Sequence, residues 1–186
     1  MTALGRVRVG LGLALVLGVG VGCGGDGEAR AAAPVPGNPS PEWEGRTLDG
    51  EPISLSGLEG EVVVLNVWAT WCAPCLREMP ALERLHARFA DEGLRVVGVS
   101  IDRASAAGAV RSFVDDLELS FTIALDPDQS VMSRFRTIGV PETFLIDHEG
   151  VIAYRWIGEF DPMAPSEIER IEPLLERRAE AREGAS

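Results

Sequence analysis

A chain of 186 residues, 46% of them apolar, is long enough for one domain with a proper core and too short for two large ones. All 17 basic side chains are arginine, set against 29 acids, and the formal net charge of −12 argues against nucleic acid or an anionic membrane face as partner. Acidity otherwise favours solubility and names no substrate.

Residues 1–22 read as a signal peptide. Arg6 and Arg8 precede an apolar stretch, residues 9–22, which has signal-peptide length and is shorter than a usual membrane span. Cys23 follows small residues and leads into Gly24, Gly25, Asp26 and Gly27. That layout resembles a bacterial lipoprotein signal, cleaved before Cys23 and acylated on it, with Gly20 where such signals usually carry leucine. The other reading of these residues is an uncleaved signal anchor with Cys23 a bystander. Both place the domain outside the cytoplasm, in the bacterial cell envelope, facing the periplasm and held to the membrane. Removing residues 1–22 takes away two arginines and no acid, leaving a net charge of −14. Residues 23–42, small and punctuated by Pro34, Pro36, Pro39 and Pro41, read as a flexible tether.

The folded domain is expected over residues 43–186. Asp49-Gly50 signals a hairpin between strands at 43–48 and 52–55. Residues 62–68, rich in β-branched side chains, read as a buried strand. Residues 76–89 read as a helix with Leu76, Met79, Leu82, Leu85 and Phe89 on one buried face and Pro80 bending it. A strand at 94–101 follows, then a helix at 104–117 with Val110, Phe113, Val114 and Leu117 inward. A strand at 121–125 and a short helix at 130–135 continue the alternation of βαβ units. Residues 143–147 and 151–157 form a hairpin around His148-Glu149-Gly150. Ser166, with Glu169 three residues on, is a capping-box signature for the last helix, which Pro173 kinks or divides and which frays over 176–183. His86 reads as a surface or boundary residue and His148 as a solvated turn residue.

Trp71-Cys72-Ala73-Pro74-Cys75 falls on the junction between the strand at 62–68 and the helix at 76–89. Unpaired N–H groups and the dipole at a helix start favour an anion, and the thiolate is the nucleophilic form of cysteine. The placement argues for Cys72 as the attacking sulfur and for Cys75, about one turn further in, as its shielded resolving partner. Pro74 suits the first turn, where its missing N–H has no partner to lose. A closed zinc site wants four ligands, and no second cysteine pair accompanies His86 and His148. Haem attachment wants histidine after Cys75, where Leu76 stands. The dithiol therefore reads as a redox centre, with no metal and no further cofactor.

Together with Gly139-Val140-Pro141-Glu142-Thr143-Phe144-Leu145-Ile146-Asp147, this motif resembles the thioredoxin superfamily. More narrowly it resembles the TlpA/ResA-like extracytoplasmic thiol-disulfide oxidoreductases, over residue 43 to the C-terminal helix. The resemblance implies an α/β thioredoxin-like fold, a central mixed β-sheet flanked by helices, with an N-terminal β-hairpin extension. It makes Pro141 a cis-proline beside the disulfide and gives Val140 backbone groups to offer an extended substrate. Trp71 becomes part of the docking surface and Trp68 part of the core. The pattern Cys-x-x-Cys-x-x-Glu-x-Pro, present as Cys72, Cys75, Glu78 and Pro80, implies that Glu78 shuttles the proton. Asn66 stands where thioredoxin has a buried aspartate and cannot titrate. The bland alternative for Glu78 is a solvated surface glutamate.

The implied activity is reduction of disulfides in partner proteins through a Cys72/Cys75 cycle. A membrane electron donor restores the dithiol, and apocytochrome c is one candidate substrate. An extracytoplasmic oxidase, a peroxiredoxin-like peroxidase, a copper-delivering relative and a non-catalytic binding module are the competing readings. The peroxidase would need a threonine-rich cysteine loop, and the copper carrier a wider cysteine spacing with a supporting histidine.

Overall fold

Val62–Trp68 (β3) is buried at all seven positions, and the sheet is built outward from it. The computed structural model describes residue 2 and residues 33–184. The other strands are β1 (Glu44–Thr47), β2 (Pro52–Ser54), β4 (Leu94–Ser100), β5 (Thr122–Leu125), β6 (Glu142–Ile146) and β7 (Ile152–Ile157). They lie in the order β2-β1-β5-β4-β3-β6-β7. β3, β4 and β5 run parallel, β6 runs antiparallel to β3, and β7 runs antiparallel to β6. The β1–β2 hairpin extends the sheet by pairing antiparallel with β5. The sheet is thus mixed, with the hairpin at one margin.

Among the described residues four α-helices cover it: α1 (Ala73–Phe89), α2 (Ala107–Asp116), α3 (Ser130–Phe135) and α4 (Pro165–Gly184). Alternation along the strands assigns the two faces. Asn66 bonds Glu78 of α1, and Trp68 meets Phe113 of α2 at 5.5 Å between ring centroids, so these helices share a face. α4 joins them through the Arg88–Glu172 ion pair. On the other face Phe144, which pairs with Leu65, meets Phe135 of α3 at 4.7 Å. Met79, Leu82 and Leu85 are fully buried beneath α1, each contributing about 2 kcal/mol of burial.

The structure corrects the expected tether. From Ala33 onward the chain is docked, not free. Gly37 donates to the Ile152 carbonyl, Ser40 to that of Gly150, and Ile152 to that of Asn38. Pro39 forms a bridge with Val151. An edge strand presents unpaired backbone groups, and this extended segment satisfies those at the start of β7. The signal peptide, Cys23 and the rest of the tether lie outside the described residues.

Three smaller expectations also change. Leu117 is 37% exposed, because Glu118, at φ 51, turns the chain and delivers Leu119 to the core instead. Ser166 is inside α4, since Pro165 already occupies the first helical position, and its hydroxyl donates to Glu167. Pro173 does not divide α4, which runs on to Gly184 through the stretch expected to fray. α4 is also pinned from within: buried Arg178 donates to the carbonyls of Gly60 (2.8 Å) and Glu92 (3.2 Å) and pairs with Glu61 at 2.6 Å. The guanidinium lies against Gly93, at φ 94, where a Cβ would sit 2.0 Å from it. Among the described residues no helix is long and apolar enough to cross a membrane.

Candidate active site

β3 ends at Trp68, and after a three-residue turn α1 begins, with Cys72 as its N-cap. Cys72 has extended backbone angles (φ −96°, ψ 95°), and its Sγ accepts the Cys75 N–H at 3.3 Å. The helix start therefore directs a donor onto this sulfur, the arrangement that stabilises a thiolate. Cys72 and Cys75 form a disulfide with Cα atoms 5.3 Å apart. Cys72 is 5% exposed and Cys75 not at all, so the N-cap sulfur is the one within reach of solvent.

The turn ahead of Cys72 is held by Asp102, a buried carboxylate just beyond β4. It accepts the Thr70 N–H at 2.9 Å, the Thr70 hydroxyl at 2.7 Å and the Ser100 hydroxyl at 2.9 Å. Trp71, next to this fixed residue, is 67% exposed.

Glu78 is buried at 3% exposure, one turn beyond Cys75, so the solvated-surface alternative does not hold. Asn66 Nδ2 donates to its Oε1 at 2.6 Å and to the Thr143 hydroxyl at 2.9 Å. Among the described residues no donor stands in hydrogen-bond geometry to Oε2. Burial pushes the Glu78 carboxyl up from 4.5 to about 7, against the downward pull of Asn66 and the nearby Phe160 main chain, and the charge of Glu159 adds to the rise. Asn66 cannot titrate, but it fixes the group that does. Glu159 is itself bound to Arg77, with Arg77 Nε 3.0 Å from Oε1, which ties the segment after β7 to α1. Phe160 stacks on Trp156 at 4.8 Å in that segment.

β6 supplies the last part. The register pairs Val67 with Glu142, which brings Pro141 to the end of β3 where the redox turn begins. The Val140–Pro141 peptide is cis. Pro141 is buried, Val140 half-buried, and Ile138 stands 78% exposed in the same loop. Cys72, Cys75, Glu78, Trp71, Val140 and Pro141 thus gather at one end of the sheet.

A family model described as AhpC/TSA matches residues 36–155, well over half of the chain. The chain belongs to the AhpC/TSA family. The thioredoxin-like protein YneN of Bacillus subtilis is 39% identical over 117 residues, 62% of this chain and 68% of YneN. The thiol-disulfide oxidoreductase ResA of Bacillus thuringiensis is 33% identical over 123 residues, 66% of this chain and 70% of ResA. A crystal structure of a secreted thiol-disulfide isomerase from Corynebacterium glutamicum shares 27% identity at a TM-score of 0.66, covering 74% of this chain and 85% of that one. This AhpC/TSA chain is a TlpA/ResA-like member of the thioredoxin superfamily and a thiol-disulfide oxidoreductase with a Cys72–Cys75 pair.

In this AhpC/TSA protein His86 is a boundary residue packed edge-on to Phe121, and His148 is half-buried rather than fully solvated. Among the described residues no three His, Cys, Asp or Glu side chains group as metal ligands would. Sequence reasoning missed Asp102, Glu142 and Arg155. The signal for Glu142 was a charge opening an apolar strand, and for Asp102 a carboxylate directly after one.

Proposed function

We propose that this oxidoreductase reduces disulfides of partner proteins outside the cytoplasm while held to the membrane, through acylated Cys23 or an uncleaved signal anchor. The observation that carries the reading is the Cys72–Cys75 pair at the start of α1, with the more accessible sulfur at the N-cap. In the reduced protein the Cys72 thiolate attacks one sulfur of a partner disulfide. That S–S bond breaks, a partner thiolate leaves, and a mixed disulfide forms. Cys75 gives up its proton, with the Glu78 carboxylate as acceptor, and attacks Cys72 Sγ. The mixed disulfide breaks, the second partner thiolate leaves, and Cys72–Cys75 is restored. Two electrons have passed to the partner, and no cofactor takes part. Trp71, Val140 and Pro141 form the surface on which the partner lies in extended form.

Outside the cytoplasm the surroundings are oxidising, so re-reduction calls for an electron donor in the membrane. The secreted relative supports the extracytoplasmic address. The disulfide of apocytochrome c, reduced to its two thiols, is a candidate substrate on the TlpA/ResA resemblance alone. The test uses two variants of the full chain with a protein disulfide. Cys72→Ser abolishes exchange, and Cys75→Ser accumulates a mixed disulfide visible on a non-reducing gel. Exchange surviving in Cys72→Ser overturns the assignment of the nucleophile.

A further inference from the structure

The loop of residues 136–141 joins α3 to β6 and carries Ile138, Val140 and Pro141. It belongs to no helix or strand, so something else must fix its shape. Glu142, with no exposed surface, lies directly behind it. Its Oε2 accepts the Ile138 N–H at 3.1 Å, and its Oε1 takes both Nε and Nη2 of Arg155 at 2.5 Å. Arg155 comes from the neighbouring strand β7, its side chain 16% exposed and its guanidinium 5.2 Å over the Phe144 ring. Its donors also reach two main-chain carbonyls, Arg136 from Nη2 at 3.3 Å and Pro34 from Nη1 at 3.2 Å. One carboxylate–guanidinium pair therefore holds the loop at residues 136 and 138, and the N-terminal segment at Pro34.

A buried ion pair is a poor source of stability, since apolar side chains of similar volume often do as well or better. What it supplies is direction. The planar fork of arginine and the two oxygens of a carboxylate fix the groups they bind in a set geometry. Here that geometry falls on the loop with the 78% exposed Ile138 and the cis Val140–Pro141 peptide. Glu142 and Arg155 lie on the face of the sheet opposite Asn66, Thr143 and Glu78, so they act on the docking loop and not on the sulfur chemistry.

We propose that Glu142 and Arg155 are positioning residues that hold residues 136–141 in the shape on which a partner protein docks. The inference rests on the proposed function, in which this loop meets the partner. It makes the pair a determinant of affinity for protein disulfides, separate from the reactivity of Cys72.

The full chain is assayed with insulin, as a protein disulfide, and with 5,5′-dithiobis(2-nitrobenzoate), a small disulfide that needs no docking loop. In Arg155→Gln the KM for insulin rises about tenfold, while kcat and the rate with the small disulfide stay within about twofold and the reduction potential does not move. Arg155→Lys, which keeps the charge and loses the fork, falls between the two. Arg155→Gln leaves Glu142 buried without its partner, so the doubly neutral Glu142→Gln/Arg155→Gln provides the same reading if the single variant does not fold. An unchanged KM in the folded variant overturns the proposal. Equal losses on both disulfides overturn it too, because they mark a merely structural pair. A wild-type chain that exchanges with insulin in neither direction overturns the proposed function, and this inference with it.

Discussion

Replacing Glu78 by glutamine removes a buried charge while keeping the shape of the side chain and an oxygen for Asn66 to bond. In the native protein burial holds this carboxyl at about 7 against an ordinary 4.5. Between those values the folded state binds a proton that the unfolded chain has released. Stability is therefore fully present below pH 4.5 and falls as pH rises toward 7. Above 7 both states are ionised and the loss levels off, at about 3 kcal/mol for a difference of this size. Glutamine carries no such slope. The stability of Glu78→Gln relative to wild type should move in the variant's favour by about 3 kcal/mol between pH 4.5 and pH 8. Urea unfolding of the oxidised proteins at half-unit steps from pH 4 to pH 9 measures this directly. Profiles that run parallel would refute the buried, raised carboxyl. The same group is half-ionised near neutrality, which suits it to take the proton of Cys75. Stopped-flow exchange in Glu78→Gln should be slower by about tenfold to a hundredfold, with the inflection near pH 7 gone.

Asp102→Ala takes three donors' partner away from the turn before Cys72. It should cost about 2–3 kcal/mol in thermal unfolding and slow exchange with both protein and small disulfides. A variant of wild-type stability would show that the turn does not depend on this carboxylate. Arg178→Met keeps an apolar stem but loses the contacts to Gly60, Glu92 and Glu61. It should destabilise by about 3 kcal/mol with the small-disulfide rate unchanged, since these contacts lie away from the sulfurs. A changed rate would link α4 to the site.

Much of the fold was legible because its signals are local. The β-branched run of β3, the leucines of α1 and the turn residues of the hairpins each speak through neighbours in the chain. Cys72, Cys75 and Pro141 were legible for the same reason, as residue types whose chemistry or backbone is unusual. What escaped was set by distant partners. Residues 33–42 look like a linker by composition, and the edge of β7, together with the Arg155 side chain, gives them distant groups to bond. Arg155 meets Pro34 from 121 residues away, and Thr70 meets Asp102 across 32. Glu78 was legible as a candidate, but its burial depends on Asn66 and on the segment around Phe160. Capping at Ser166 failed because Pro165 begins the helix one residue earlier.

The reduction potential of the Cys72–Cys75 pair, measured on the full chain against glutathione or dithiothreitol buffers, bears most directly on whether this oxidoreductase is a reductant. The value expected is roughly −270 mV, that of a dithiol which gives electrons to partner disulfides and must be recharged. A value near roughly −120 mV, that of a strong oxidant, would contradict it and reverse the direction of the cycle on the same residues.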